Sequence, residues 1–193
     1  DHQRMIRLFV ALTLPETLRL QLTTLCGGVP GARWVKPENL HLTLRFIGKV
    51  ENGMAEDLDA ALVGISAPAF DLTLSGIGHF GKTNAARVLW AGTEPNNALD
   101  HLQAKIEAAI MRSGLPGEHR RFLPHVTLAR LNRAPGLRGE QFVADHNGLR
   151  AAPITIKRFT LFSSFLSSSG AIYRPEAEYP LVPVAETDYA GEQ

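Results

Sequence analysis

His41-Leu42-Thr43-Leu44 recurs as His125-Val126-Thr127-Leu128, 84 residues later in a chain of 193. Each copy lies in a β-rich stretch, Leu40–Ile47 and Phe122–Ala129. On a strand, side chains alternate between faces. His41 and Thr43 therefore share one face, and Leu42 and Leu44 the other. The second copy divides the same way, with His125 and Thr127 against Val126 and Leu128. Each strand thus offers one imidazole and one hydroxyl above an apolar underside. If two such strands meet, their common surface carries two imidazoles and two hydroxyls. That set suits the opening of a strained phosphodiester. A neutral histidine takes a proton from water and a protonated one gives a proton to the leaving oxygen. The hydroxyls donate to the non-bridging oxygens, where charge must be held. A lone His-x-Thr carries little information, but two copies with matching apolar flanks are rare in a chain this short.

On either side of the tetrads the chain alternates between strand and helix patterns. Ile6–Thr13 reads as a strand that runs into a helix at Pro15-Glu16, and that helix ends at Gly27-Gly28. Asn52 is placed to cap a helix through Val63, with Met54, Leu58 and Leu62 on one face. Phe70, Leu72 and Leu74 alternate as in a half-buried strand, and Arg87–Gly92 reads as another. Leu99, Leu102, Ile106 and Ile110 mark an amphipathic helix closed by Gly114. Gly139–His146 reads as a short helix, Lys157–Phe162 as a strand, and Gly170–Tyr173 as the start of a last one. Antiparallel-looking strands mixed with a few helices predict an α+β fold. One tetrad in each portion of the chain predicts a duplicated lobe.

Composition narrows the function classes. The chain has 20 Lys and Arg against 19 Asp and Glu, a net charge of +1, and is 45% hydrophobic. That excludes a wholly basic nucleic-acid coat and a disordered acidic chain. The single cysteine, Cys26, cannot form an internal disulfide or a cysteine-only zinc site. Apolar runs such as Leu8–Leu12 and Ile154–Ile156 fall far short of the roughly 20 residues that span a bilayer. Asp1–Met5 carries no basic-then-apolar leader, so a cytoplasmic protein with no membrane partner is expected. The neutral total hides two basic segments. Arg33, Lys36, Arg45 and Lys49 face one acid, Glu38; six arginines between Arg112 and Arg138, Arg130 among them, face Glu118 alone. They could converge on one anionic ligand, or form two solvated faces.

These residues resemble the 2H phosphoesterases, and within them the bacterial RNA 2′,3′-cyclic phosphodiesterases, also called 2′-5′ RNA ligases. The resemblance covers Arg7-Leu8-Phe9-Val10-Ala11-Leu12, His41 through Gly48, Arg87-Val88-Leu89-Trp90, Pro124 through Arg130, Ser164, Gly170 and Tyr173, from about residue 6 to 181. Phe165 departs from it, since many relatives carry a basic residue there. The resemblance implies two pseudo-symmetric lobes, each a mainly antiparallel sheet with helices outside, facing across a central cleft. It implies a single bilobal domain over 1–193, with one tetrad per lobe and a C-terminal tail from 182. It further implies His41 as proton donor to the departing ribose 3′ oxygen, His125 as proton acceptor from water, and Thr43, Thr127 and Arg130 as phosphate contacts. The products would be 2′-phosphate ends, with 2′-5′ ligation as the reverse reaction. No metal or other cofactor enters, the partners are RNA ends or small cyclic nucleotides, and a monomer suffices. Strict alternation puts Arg130 on the face opposite His125 unless the strand bulges near Ala129. By the same parity Arg45 shares the face of His41 and is a rival cation.

Two other readings compete. One is a non-catalytic RNA- or nucleotide-binding module. The other starts from Gly76-Ile77-Gly78-His79-Phe80-Gly81-Lys82-Thr83, which fits the phosphate-cradling G-x-x-x-x-G-K-[ST]. That loop needs a helix next, whose N-terminal amides meet the phosphate. Asn84 through Trp90 turns β-like instead, so the glycines are read as a hairpin loop. His2, His79, His101, His119 and His146 lack the tetrad setting and are read as surface or loop residues.

Overall fold

The computed structural model describes residues 4–81, 87–133 and 136–184. Ten strands and four α-helices follow one another: β1 (Met5–Thr13), α1 (Glu16–Leu25), β2 (Ala32–Trp34), a 3-10 turn (Pro37–Asn39), β3 (His41–Glu51), α2 (Asn52–Val63), β4 (Phe70–Leu72), β5 (Leu74–Phe80), β6 (Val88–Thr93), α3 (Asn97–Arg112), β7 (His125–Leu131), α4 (Gly136–His146), β8 (Ile154–Ile156), β9 (Arg158–Ser167) and β10 (Gly170–Pro180). The class is α+β, as the pattern of elements predicts.

The main sheet runs β10-β9-β1-β3-β7-β6-β5, with β2 added beside β7, and every pairing in it is antiparallel. Its middle is thin. Strands β3 and β7 pair at one position, Leu42 with Val126. The sheet is therefore two half-sheets, each with its own tetrad strand at the joint. The expectation of one lobe per half of the chain needs correction. One half-sheet is built from both ends of the sequence, β1 and β3 with β9 and β10, while β2 crosses over to pair with β7. Helices α2 and α3 pack on β3, and α4 packs on β5. They cover the side to which Leu42, Leu44, Val126 and Leu128 point, each at most 3% exposed.

Local chemistry explains most element boundaries. Helix α3 presents Leu99, Leu102, Ile106, Ala109 and Ile110 as its buried stripe, and the Asn96 side chain caps it by accepting from the Leu99 N–H at 3.0 Å. Gly114, at φ +108°, ends it in a backbone conformation that costs other residues strain. Asn52 is the first residue of α2 rather than its cap; Glu51 takes the cap position without a side-chain bond. The stretch 70–74 is two strands, not one. It breaks at Thr73, so β4 pairs with β8 in a separate ribbon while β5 joins the main sheet.

The glycine-rich segment is a strand, not a loop. Gly76 and Gly78 lie within β5, which pairs antiparallel with β6 through Phe80–Val88. The next element among the described residues is the strand β6 rather than a helix that would gather phosphate, so the nucleotide-cradle reading fails for 76–81; Lys82 and Thr83 lie outside the described residues. Gly78 has a packing reason, because a Cβ there would sit 2.4 Å from the Trp90 ring. His79 is accordingly a strand residue with a buried Nδ1, not a loop residue. Nor is 182 yet a free tail. The Val182 N–H donates to the Ala67 carbonyl, and its own carbonyl accepts from Ala69 N–H, both at 2.8 Å. Residues 185–193 lie outside the described residues.

Gly78→Ala is expected to cost about 1–3 kcal/mol, the range for overpacking. It should also shift the Trp90 emission. Urea unfolding and fluorescence check this, and an unchanged spectrum at full stability would mean the ring does not rest on Gly78.

Candidate active site

The joint sets the geometry of the four tetrad side chains. Leu42 opposite Val126 in an antiparallel pair, carried one residue either way, puts His41 opposite Thr127 and Thr43 opposite His125. Alternation along each strand keeps the four on the opposite face from Leu42 and Val126. All four therefore stand together on the face away from the helices.

Each histidine is fixed through the same atom. His41 Nδ1 lies 2.7 Å from the Asn39 carbonyl oxygen, and His125 Nδ1 lies 2.6 Å from that of Leu123. A carbonyl only accepts, so Nδ1 carries the proton in both rings. The tautomer is thereby set, and Nε2 is left for chemistry. In the neutral His41 ring the Thr43 hydroxyl donates to Nε2 at 2.9 Å. Aromatic rings wall both sides. Phe9 and Tyr173 stand 5.1 and 5.4 Å from the His41 ring, and Phe80 meets His125 edge-on at 4.8 Å. A cavity of about 260 Å³ opens beside His41, lined by Phe9, Arg19, Asn39, Phe162 and Tyr173. Sequence reasoning did not assign these wall residues a role. Ser164 pairs with Tyr173 on this side of β9, whereas Phe165 pairs with Ile172 on the other, under the Arg174 guanidinium at 4.8 Å.

Both imidazoles titrate below their ordinary value of 6.5. For His41 burial is the main cause, offset by the Asn39 carbonyl and reinforced by the charges of Arg130 and His125. For His125 burial again dominates, offset by the Leu123 carbonyl and reinforced by Arg130. Arg130 is thus a shared, lesser cause of the lowering at both rings.

The position of Arg130 depends on a bulge. Along β6 and β7, Leu89 pairs with Ala129 but Trp90 pairs with Thr127, so Leu128 is an extra residue. The first tetrad repeats the device. Val10 pairs with Arg45 and Ala11 with Thr43, leaving Leu44 extra. Each bulge reverses the facing of the residues C-terminal to it. The freed carbonyls are satisfied from outside the ladder, Leu128 O by Val35 N–H at 2.8 Å and Leu44 O by Gln103 Nε2 at 3.4 Å. Arg130 is thereby brought to the face of His125.

The matching bulge at Leu44 takes Arg45 away, which corrects the parity argument for it as a rival cation. Arg45 is 8% exposed and binds Glu107 on α3, with Nε 2.6 Å from Oε2. It also donates to the carbonyls of Phe46 and Pro116, both at 2.7 Å. Glu107 in turn accepts from the Glu118 N–H at 2.8 Å. Arg45 therefore ties β3 and α3 to the segment that leads into His125. Among the described residues, no three His, Cys, Asp or Glu side chains gather as a metal site would need.

Arg45→Gln is expected to cost about 3 kcal/mol in denaturant unfolding, the low end for breaking a buried pair. Anion binding should keep its salt dependence. Full stability with weakened anion binding would instead put Arg45 on the ligand side.

Comparison with known proteins agrees with this architecture. A family model for LigT-like phosphoesterases matches residues 12–90 and 92–173. An RNA 2′,3′-cyclic phosphodiesterase of Thermotoga maritima is 30% identical over 177 residues, 88% of this chain and 92% of that protein. One from Aeropyrum pernix is 31% identical, covering 76% of this chain and 84% of its own. The apo crystal structure of E. coli LigT is 29% identical with a TM-score of 0.74, covering 92% of this chain and 98% of that one. The same protein complexed with 3′-AMP gives 27% and 0.73 over 92% and 99%. Two tetrad strands meeting at one residue pair, in a fold shared over nine-tenths of its length with LigT, place this chain in the family of LigT-like phosphoesterases, a 2H family.

Proposed function

We propose that this protein hydrolyses RNA 2′,3′-cyclic phosphate ends to 2′-phosphate ends, with residues 4–184 acting as one bilobal unit. The carrying observation is the pair of imidazoles held alike through Nδ1 on one face, with Arg130 charged beside both. The relatives named RNA 2′,3′-cyclic phosphodiesterases support the substrate class.

Each group has its own part in the reaction. The cyclic phosphate sits between the two rings, its non-bridging oxygens taking hydrogen bonds from Thr43, Thr127 and Arg130. Neutral His125, with a lone pair on Nε2, removes a proton from water as the water attacks phosphorus. His41 as imidazolium gives its Nε2 proton to the ribose 3′ oxygen as the P–O3′ bond breaks. The substrate takes the place of the Thr43–Nε2 hydrogen bond and turns that hydroxyl to phosphorus-bound oxygen. Charge develops on oxygens that face fixed donors in a half-buried site, where such donors count most. Run backwards, with a 5′-hydroxyl in place of water, the same groups would form a 2′-5′ linkage. In this reading no step calls for a metal, and RNA ends or small cyclic nucleotides are the ligands of a monomer.

The competing binding-module reading predicts the same anion affinity without turnover. His41→Ala and His125→Ala should each lower the rate on a 2′,3′-cyclic nucleotide by about 10²–10⁴-fold. Thr43→Val and Thr127→Val should cost about 10–10³-fold. A p-nitrophenyl phosphodiester, whose leaving group needs no proton, should largely rescue His41→Ala but not His125→Ala. Rescue of the His125 variant alone would exchange the two roles. Turnover lost to EDTA and restored by a divalent ion would sink the two-histidine mechanism.

The pH dependence derives from the lowered imidazole values. The free enzyme must hold one proton on the pair. Because both rings titrate below 6.5, the bell of kcat/KM should centre below that value. The bound phosphate anion favours imidazolium, so the kcat bell should lie higher. Arg130→Gln removes a cation that opposes protonation of both rings, so its kcat/KM bell should move to higher pH. An unmoved bell would show that Arg130 does not act on the pair.

A further inference from the structure

Arg33 in β2 pairs directly with Arg130 in β7. Cross-strand partners project on the same face, and like charges set directly opposite are destabilising. The next residue gives an independent check on the facing. Trp34 turns the other way, onto Phe142 of α4 at 5.4 Å, which leaves Arg33 on the side of Arg130. Both arginines are exposed. Among the described residues the ion-paired arginines are Arg45, Arg120, Arg150 and Arg158, so neither Arg33 nor Arg130 has an acidic partner there. A third arginine crowds the same edge. The stem of Arg133 passes 2.8 Å from where a Cβ on Gly31 would be, and Gly31 holds φ +77° just before β2. Two guanidinium groups on paired residues, without an acidic partner among the described residues, are costly in an empty protein and favourable around an anion.

Opening the cyclic phosphate uses one of them. Arg130 lies close enough to act on both imidazoles. Arg33 stands on β2, which lies along the same edge of β7 as β3 but further along β7 than the tetrads. A nucleotide with a 2′,3′-cyclic phosphate has one other ester position for phosphate, the 5′ oxygen. An RNA end carries a phosphate there, and a free 2′,3′-cyclic nucleoside phosphate does not. We infer that Arg33, flanked by Arg130 and Arg133, seats the 5′-phosphate of the nucleotide whose cyclic phosphate reacts, and so selects RNA ends over free cyclic nucleotides. Guanidinium suits the task, since its fork can bind two phosphate oxygens at once. The inference rests on the phosphodiesterase reading and extends it from the reacting group to the chain behind it.

The test compares adenosine 2′,3′-cyclic phosphate with the same nucleotide carrying a 5′-phosphate. The wild-type protein should prefer the second. Arg33→Gln should reduce that preference about tenfold, the worth of roughly one charge-assisted contact. The slope of log KM against log salt on the second substrate should flatten by about 0.7, as for one lost phosphate contact on a single strand. Arg33→Lys should restore part of the preference. A misfolded variant would lose activity on both substrates alike, so the ratio isolates the seat. In a variant whose thermal unfolding matches the wild type, an equal loss on both substrates overturns the inference, as does an unchanged ratio; Arg33→Lys serves as the test if Arg33→Gln does not fold. A wild-type protein that cleaves both equally well also overturns it while leaving the phosphodiesterase reading intact. One that cleaves neither overturns both.

Discussion

The site is organised by a single backbone contact, the antiparallel meeting of β3 and β7 at Leu42 and Val126. Two strands with nearly the same four-residue pattern, paired antiparallel about their second residue, have a local twofold relation. That relation brings each histidine opposite the other strand's threonine. Both residues at the contact are fully buried, so the joint is held from beneath by apolar packing while its upper face stays polar. A longer pairing would close the joint into continuous sheet. With one pair, the half-sheets can diverge on either side and leave room above the tetrads.

Within each half-sheet a bulge at the fourth residue of the tetrad decides which arginine faces the site. Without it, Arg45 would stand beside His41 and Arg130 would point into the helix layer. With it, Arg45 becomes a structural cation tied to Glu107, Phe46 and Pro116, and Arg130 emerges on the site face. A bulge exposes a carbonyl that the ladder no longer satisfies. Here Val35 and Gln103 supply the missing donors. The cost of the irregularity is thus met by the residue after β2 and by a side chain of α3.

Electrostatics and packing reinforce each other at the two rings. Burial and the Arg130 charge both disfavour imidazolium in the empty site. In the proposed reaction a phosphate anion would remove that penalty on arrival, which would couple substrate binding to protonation of the acid. The aromatic neighbours, Phe9 and Tyr173 on one side and Phe80 on the other, pack against the two imidazole rings.

Neighbouring residues alone were enough to establish the α+β class, most of the strands and helices, and the sharing of one face by His41 with Thr43 and by His125 with Thr127. These are local matters, because alternation along a strand and the stripe of a helix are written in adjacent positions. The pattern also placed a condition on Arg130, that the strand must bulge, and left Arg45 as an open rival. The short strands β2 and β8 carried no periodicity long enough to read. The glycines of β5 looked like a loop because the reason for them, the Trp90 ring above Gly78, comes from another strand. Long-range packing settled the rest. It gave the first half-sheet strands from both chain ends, set Arg33 beside Arg130 and turned Arg45 inward. Each of these is a pairing between residues far apart in the chain, and a bulge is defined against a partner strand, so neither exists until the strands have met.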